Sequence, residues 1–157
     1  MTFSRWHQWM YRGGRPNIMA RVINSLTARI HSTGISRDYL VTLEVIGRKS
    51  GKVISFPLAM AVVDGERYLV SMLGPGANWV QNLEAAGYQA TLRHGIVEHV
   101  RLHEIAVAER PPVLKAYLQI APGARPHIPV SMDAPPAEYE AVAADYPVFR
   151  VETMGNP

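Results

Sequence analysis

From Tyr39 onward the chain alternates apolar and polar positions with a period of two. Tyr39, Val41, Leu43 and Val45 alternate with Leu40, Thr42, Glu44 and Ile46, the pattern of a strand with one face turned inward. Val53–Val63 is again strand-like, and Asp64-Gly65 closes it with a strong hairpin signal. Residues 68–73 read as a third strand, stopped by Gly74-Pro75-Gly76. Residues 78–86 fit a short helix with Trp79, Val80 and Leu83 inward. Strands are expected over 88–93 and 96–105, joined at His94-Gly95. A helix then opens on Pro111 and runs to Ile120, with Val113, Leu114, Tyr117 and Leu118 apolar. Residues 121–136 form a Pro-rich loop, 137–144 a short helix and 147–152 a last strand. Five or six antiparallel strands with helices between hairpins point to a mainly β chain with α elements, a small β-barrel with peripheral helices.

Before this region the period is that of a helix. Phe3, Trp6 and Met10 stand at helical spacing beside Arg5 and Arg12, and Gly13-Gly14 interrupts them. Past Pro16 a stripe of Met19, Val22, Ile23, Leu26 and Ile30 follows. The expectation is an N-terminal helical extension over 1–36 and a barrel domain over 37–157. The stripe suits packing on the barrel. Trp6, Trp9 and Arg12 also suit peripheral contact of residues 1–15 with a membrane surface.

Composition narrows the classes. The chain has 157 residues and no Cys, which excludes disulfides, thiolate metal sites and a cysteine nucleophile. It has no long uncharged apolar run and no signal-peptide pattern, so the expectation is a cytoplasmic protein, with membrane association only through the extension. Residues 1–50 carry seven Arg and one Lys against Asp38 and Glu44, while the remainder is mildly acidic. Such asymmetry fits an anionic partner or a solvated basic face.

Two turns could carry chemistry. Gly47-Arg48-Lys49-Ser50-Gly51-Lys52 places three cations and a hydroxyl on a Gly-bounded turn between strands, suited to a phosphate or carboxylate. It is not a phosphate-binding loop of the Walker type, since Val53 stands where Ser or Thr is needed and no helix follows. Gly74-Pro75-Gly76-Ala77-Asn78 leads into a helix N-terminus, with Asn78 as a candidate cap. His99, Arg101 and His103 share a strand face, but residues four apart on a strand lie roughly 13 Å from each other, too far to share a metal. No metal site is expected. His94 at a hairpin tip reads as solvated. No nucleophile elbow occurs, and the strands lack the interleaved basic and aromatic residues of a nucleic-acid surface.

Taken in order, Gly47-Arg48-Lys49-Ser50-Gly51, Phe56-Pro57-Leu58, the Asp64-Gly65 hairpin, Asn78-Trp79-Val80-Gln81-Asn82-Leu83 and Tyr146-Pro147-Val148-Phe149 resemble the deazaflavin-dependent nitroreductase family. The similarity covers roughly residues 39–152. It departs at Ile54, where many members have Arg, and at Ala121 and Ala124, where some carry Tyr.

The resemblance implies a split β-barrel and coenzyme F420 as hydride source for a quinone, nitro or enone acceptor. It implies that Arg48, Lys49 and Ser50, helped by Lys52, meet the cofactor's phosphate and oligoglutamate tail. Pro57 and Leu58 would flank the ring, Ser71, Met72, Leu73, Gly74 and Gly76 would line it through backbone groups, and Asn78, Trp79 and Asn82 would close the pocket. Tyr117, His127 and Tyr146 are candidate proton donors. Two alternatives stay open: a non-catalytic binder of a deazaflavin or a lipophilic anion such as a fatty acid, and an FMN-dependent reductase. The partner is a small-molecule acceptor, not nucleic acid, and a homodimer is left open.

Overall fold

A computed structural model of the chain describes residues 39–155. The helical extension expected over 1–36, and with it the membrane contact read into residues 1–15, lies outside the described residues. Strands β1 (Leu40–Ile46), β2 (Val53–Val63), β3 (Glu66–Val70), β4 (Gln89–Arg93), β5 (Val97–Glu104) and β6 (Val148–Gly155) are all paired antiparallel. They close into a barrel in the order β1–β2–β3–β6–β5–β4. Three helices join them: α1 (Asn78–Ala85), α2 (Pro111–Ile120) and α3 (Pro136–Val142). This is the mainly β barrel with peripheral helices that the alternation suggests, and the split barrel that the resemblance implies. No helix among the described residues is long and apolar enough to cross a membrane.

The alternation sets the register. Leu43 lies opposite Phe56 on one side and Leu92 on the other, so large apolar side chains meet inside the barrel, and a slip by one residue would turn them outward. Helix α1 closes one end of this interior, where Trp79, Val80 and Leu83 join Val45, Phe56 and Phe149 in one cluster. The Trp79 and Phe149 rings meet edge to face, with centroids 5.5 Å apart, a geometry that adds about 0.5–1.5 kcal/mol to the burial itself. A second apolar layer lies outside the barrel. Ala59 and Ala61 point outward from β2 and pack with Val113, Leu114, Tyr117 and Leu118 of α2. Strand β2 is therefore buried on both faces over much of its length.

The opposite end is closed by charge. Arg67, Glu98 and Thr153 follow the inward parity of Leu69, Val100 and Val151. Arg67 donates from Nη1 to Glu98 Oε2 at 2.8 Å and from Nη2 to Glu98 Oε1 at 3.3 Å. Thr153 Oγ1 donates to Glu98 Oε1 at 2.9 Å and accepts from Arg67 Nη2 at 2.8 Å. His94 Nε2 lies 2.7 Å from Glu98 Oε2. His94 is thus a member of this plug and not the solvated tip residue expected. Arg67 above all, with His94 and Thr153, holds the Glu98 carboxyl down at about 2 against its burial.

Several element boundaries differ from expectation. The third strand ends at Val70, not Leu73, because Ser71 Oγ donates to Gly74 O at 2.6 Å and Gly74 adopts φ +87°, which folds residues 71–74 into a turn. The last strand runs on to Gly155 because β5 offers it partners as far as His99, across a bulge at His99/Val100. Tyr88 leaves the ladder at φ +64°, its N–H bonded to Leu83 O at 2.9 Å. Asn78 does not cap α1: Ala77 holds that position and no side chain caps the helix. The loop over 121–136 contains a buried 3₁₀ turn, Pro122–Ala124.

Candidate functional site

The basic turn joins β1 to β2. Gly51 N–H donates to Gly47 O at 2.9 Å and Gly47 N–H to Lys52 O at 2.7 Å, while Gly51 takes φ +69°, which favours glycine. A Cβ on Gly47 would come within 2.7 Å of Ile54 Cδ1 and 2.8 Å of Ser50 Oγ. The positive φ favours glycine at Gly51, and the close side chains at Gly47 leave little room for a larger residue. Ser50 Oγ accepts from Lys52 N–H at 3.2 Å, so the hydroxyl helps to shape the turn.

The turn is tied to α1. Asn82 is 3% exposed, and its Oδ1 accepts from Arg48 Nη1 at 2.7 Å and from Arg48 N–H at 3.2 Å. One buried amide oxygen fixes both the backbone and the tip of Arg48. Asn82 thus works through Arg48. Lys49 and Lys52 are exposed and have no ion-pair partner among the described residues. The amides of Lys49 and Ser50 likewise have no acceptor among them. Two cations and two N–H groups without partners among the described residues are groups that an anion could engage.

The second loop reaches the same end of the barrel. Ser71, wholly buried, donates its N–H to Pro147 O at 2.9 Å. Gly74 takes φ +87°, which favours glycine, and a Cβ on it would stand in ordinary contact with Asp145 O at 3.4 Å, so the loop lies beside the segment entering β6. Gln81 Nε2 donates to Gly76 O at 3.2 Å and ties the loop to α1. The uncapped first turn of α1 follows directly and presents backbone N–H groups. The side chains of Trp79, Leu58 and Met72 are buried in the two apolar clusters, so these three would meet a ligand mainly through their backbone, while Leu73 is half-buried. Pro57 stands on the outer face of β2 and is half-buried.

The three candidate proton donors differ sharply. Tyr117 is 2% exposed, and burial pushes its hydroxyl far above the ordinary value; it lies inside the layer between α2 and β2. Tyr146 donates its hydroxyl proton to His127 O at 2.6 Å, and burial, with Asp145 beside it, raises its pKa. His127 is half-buried, and its backbone carbonyl is bonded by Tyr146, which brings its loop beside the segment entering β6. Sequence reasoning missed Arg110, a buried arginine that donates to Ala143 O and Tyr146 O. Its one sequence signal is its place directly before Pro111-Pro112. Among the described residues, no three His, Asp or Glu side chains come together as a metal site.

No protein-family model matches the chain, and no curated protein matches it. Solved structures do. A protein of Agrobacterium tumefaciens of unknown function aligns over 81% of this chain with a TM-score of 0.53 and 14% identity; the chain spans 55% of that protein's length. A Bacteroides thetaiotaomicron protein described as a candidate 5-nitroimidazole antibiotic resistance protein aligns over 82% of this chain and 80% of its own, with a TM-score of 0.50 and 13% identity. An F420-H2-dependent reductase is 24% identical over 73% of this chain and 94% of its own, with a TM-score of 0.44. The chain is similar to the first two in fold, the split β-barrel with its peripheral helices.

Proposed function

We propose that the chain is an oxidoreductase that passes a hydride from reduced coenzyme F420 to a quinone, nitro or enone acceptor. The observation that carries this reading is the rigid basic turn, whose free Lys49 and Lys52 and free amides are held to α1 by the Arg48–Asn82 contact. Such a turn suits a phosphate or carboxylate, and the resemblance implies that the anion is the cofactor's phosphate and acidic tail. Gly74, at φ +87°, lies beside Asp145 O in the second loop, where the resemblance would place the ring. The ordered motifs of the resemblance support the same reading.

When bound, the reduced deazaflavin supplies the hydride. The protein's part is to bind and orient. Lys49 and Lys52 would neutralise the acidic tail, and Arg48, held by Asn82, would present its remaining N–H groups to the same anion. Ser71 and Gly74 fix the loop on which the ring would rest, and Pro57 would bound it from β2. The Tyr146 hydroxyl proton is committed to His127 O and Tyr117 is sealed from solvent, so the proton that completes reduction would come from the His127 imidazole or from water. That Tyr146 has its hydroxyl proton engaged and Tyr117 is buried favours a second reading, in which the chain binds the deazaflavin without turning over.

A turnover assay separates the two readings. Reduced coenzyme F420 is mixed with a quinone, a nitroaromatic and a cyclic enone in turn, and reoxidation is followed by absorbance with and without the protein. Reoxidation that depends on the protein with any of the three supports the oxidoreductase. Tight binding without accelerated reoxidation in all three would leave the carrier, and FMN turnover in place of F420 would move the reading to a flavin enzyme.

A further inference from the structure

Arg110 is 5% exposed and has no part in the function proposed above. Its guanidinium donates from Nε to Ile105 O at 3.1 Å, from Nη1 to Ala143 O at 3.1 Å and to Tyr146 O at 3.4 Å, and from Nη2 to Glu104 Oε2 at 2.8 Å. Glu104, its one carboxylate partner among the described residues, is 38% exposed. The buried half of the guanidinium is therefore satisfied by backbone carbonyls. Only a planar fork with five donors can span these acceptors; an ammonium on a flexible stem cannot.

A buried cation is costly to desolvate, so what it holds in place matters. The segment it grips, residues 143–147, also bounds the candidate site. Pro147 O accepts the Ser71 N–H at 2.9 Å, and the Tyr146 hydroxyl donates to His127 O at 2.6 Å. Asp145 O faces the Cα of Gly74 closely enough that a Cβ there would meet it at 3.4 Å. Beyond it, Ile105 N–H donates to Val148 O at 2.9 Å. One short segment thus has Arg110 on one side, with the Ser71–Gly74 turn and the His127 loop on the other.

We propose that Arg110 is a positioning residue for the candidate site: by fixing residues 143–147 it sets the Ser71–Gly74 turn and the His127 loop in the arrangement that receives the cofactor. This rests on the function proposed above only in naming the ligand. A residue that merely stabilised the fold would lower the melting temperature and leave loop protection and affinity unchanged well below it.

The test compares Arg110→Met, Arg110→Lys and Glu104→Gln with the wild type, by amide hydrogen exchange and by titration with coenzyme F420, both far below the melting temperature. In Arg110→Met, exchange at Ser71 and Gly74 is expected to rise about tenfold through local opening while Leu43 and Leu92 stay protected. The F420 dissociation constant is expected to rise about tenfold, the loss of one well-placed interaction. Arg110→Lys falls between, and Glu104→Gln, which leaves the three carbonyl contacts intact, stays near wild type. Unchanged loop exchange in Arg110→Met, with only a lower melting temperature, overturns the proposal. Should Arg110→Met fail to fold, wild-type exchange at Ser71 and Gly74 in Arg110→Lys overturns it instead. Failure of the wild type to bind F420 would sink the proposed function, while the exchange experiment would still decide whether Arg110 fixes the loop.

Discussion

Replacing Glu98 by Gln keeps the shape of the plug side chain and removes its charge. In the wild type the carboxylate accepts from both Arg67 nitrogens and from Thr153, with His94 at 2.7 Å. Its pKa is lowered from the ordinary 4.5 to about 2, chiefly by Arg67. At about 1.4 kcal/mol per unit, the shift corresponds to roughly 3 kcal/mol at neutral pH. Arg67 keeps 23% of its side chain exposed, so solvent screening reduces the expected loss to about 2–3 kcal/mol. A carboxyl with a depressed folded pKa stabilises fully above about pH 4.5, and the contribution is lost as pH falls toward 2. Urea unfolding of wild type and Glu98→Gln at pH 7 and pH 3 reads this directly. The gap is expected to shrink by more than half at pH 3, where the carboxyl is almost wholly protonated in the unfolded chain and still mostly ionised in the folded protein. Equal gaps at both pH values, or a gap under about 1 kcal/mol at pH 7, would refute the reasoning, because exposed surface pairs already reach about that much. The plug closes the end of the barrel away from the basic turn, so cofactor affinity should be untouched.

The other predictions concern the turn end. Asn82→Ala frees Arg48 and should weaken F420 binding about tenfold while leaving its salt dependence unchanged, whereas Lys49→Ala and Lys52→Ala should each flatten that salt dependence, which titrations at several salt concentrations will show. Trp79→Ala removes the large ring against Phe149 and should cost about 3–5 kcal/mol in denaturant unfolding. Tyr146→Phe deletes the bond to His127 O and should cost about 1 kcal/mol of stability; under the oxidoreductase reading the rate of hydride transfer stays near wild type, as stopped-flow mixing of reduced coenzyme with acceptor will test.

Much of the barrel was legible because its strands alternate and its hairpins carry their own signals. Asp64-Gly65 takes φ values of +51° and +79°, the left-handed pair that a tight hairpin needs. Residues 71–73 misled because Ser71-Met72-Leu73 is as apolar as a strand, and only the Ser71 Oγ contact with Gly74 O turns it away. The plug escaped notice because Arg67, Glu98 and Thr153 occupy inward positions that the alternation rule assigns to apolar side chains, and their mutual satisfaction depends on pairing across three strands. Asn78 has the residue type of a cap, yet Ala77 is the cap and Asn82, one turn on, makes the contact with Arg48. Arg110 was invisible because its partners, the carbonyls of Ile105, Ala143 and Tyr146, carry no side-chain signature.

The measurement that bears most directly on the account is a fluorescence titration of coenzyme F420 with the purified protein, run beside FMN and with the Arg48→Ala/Lys49→Ala double variant. Saturable F420 binding that weakens in the double variant and falls with added salt is the predicted result. An absence of saturable F420 binding, or binding indifferent to the double substitution, would contradict the assignment of the basic turn as the cofactor's anion site.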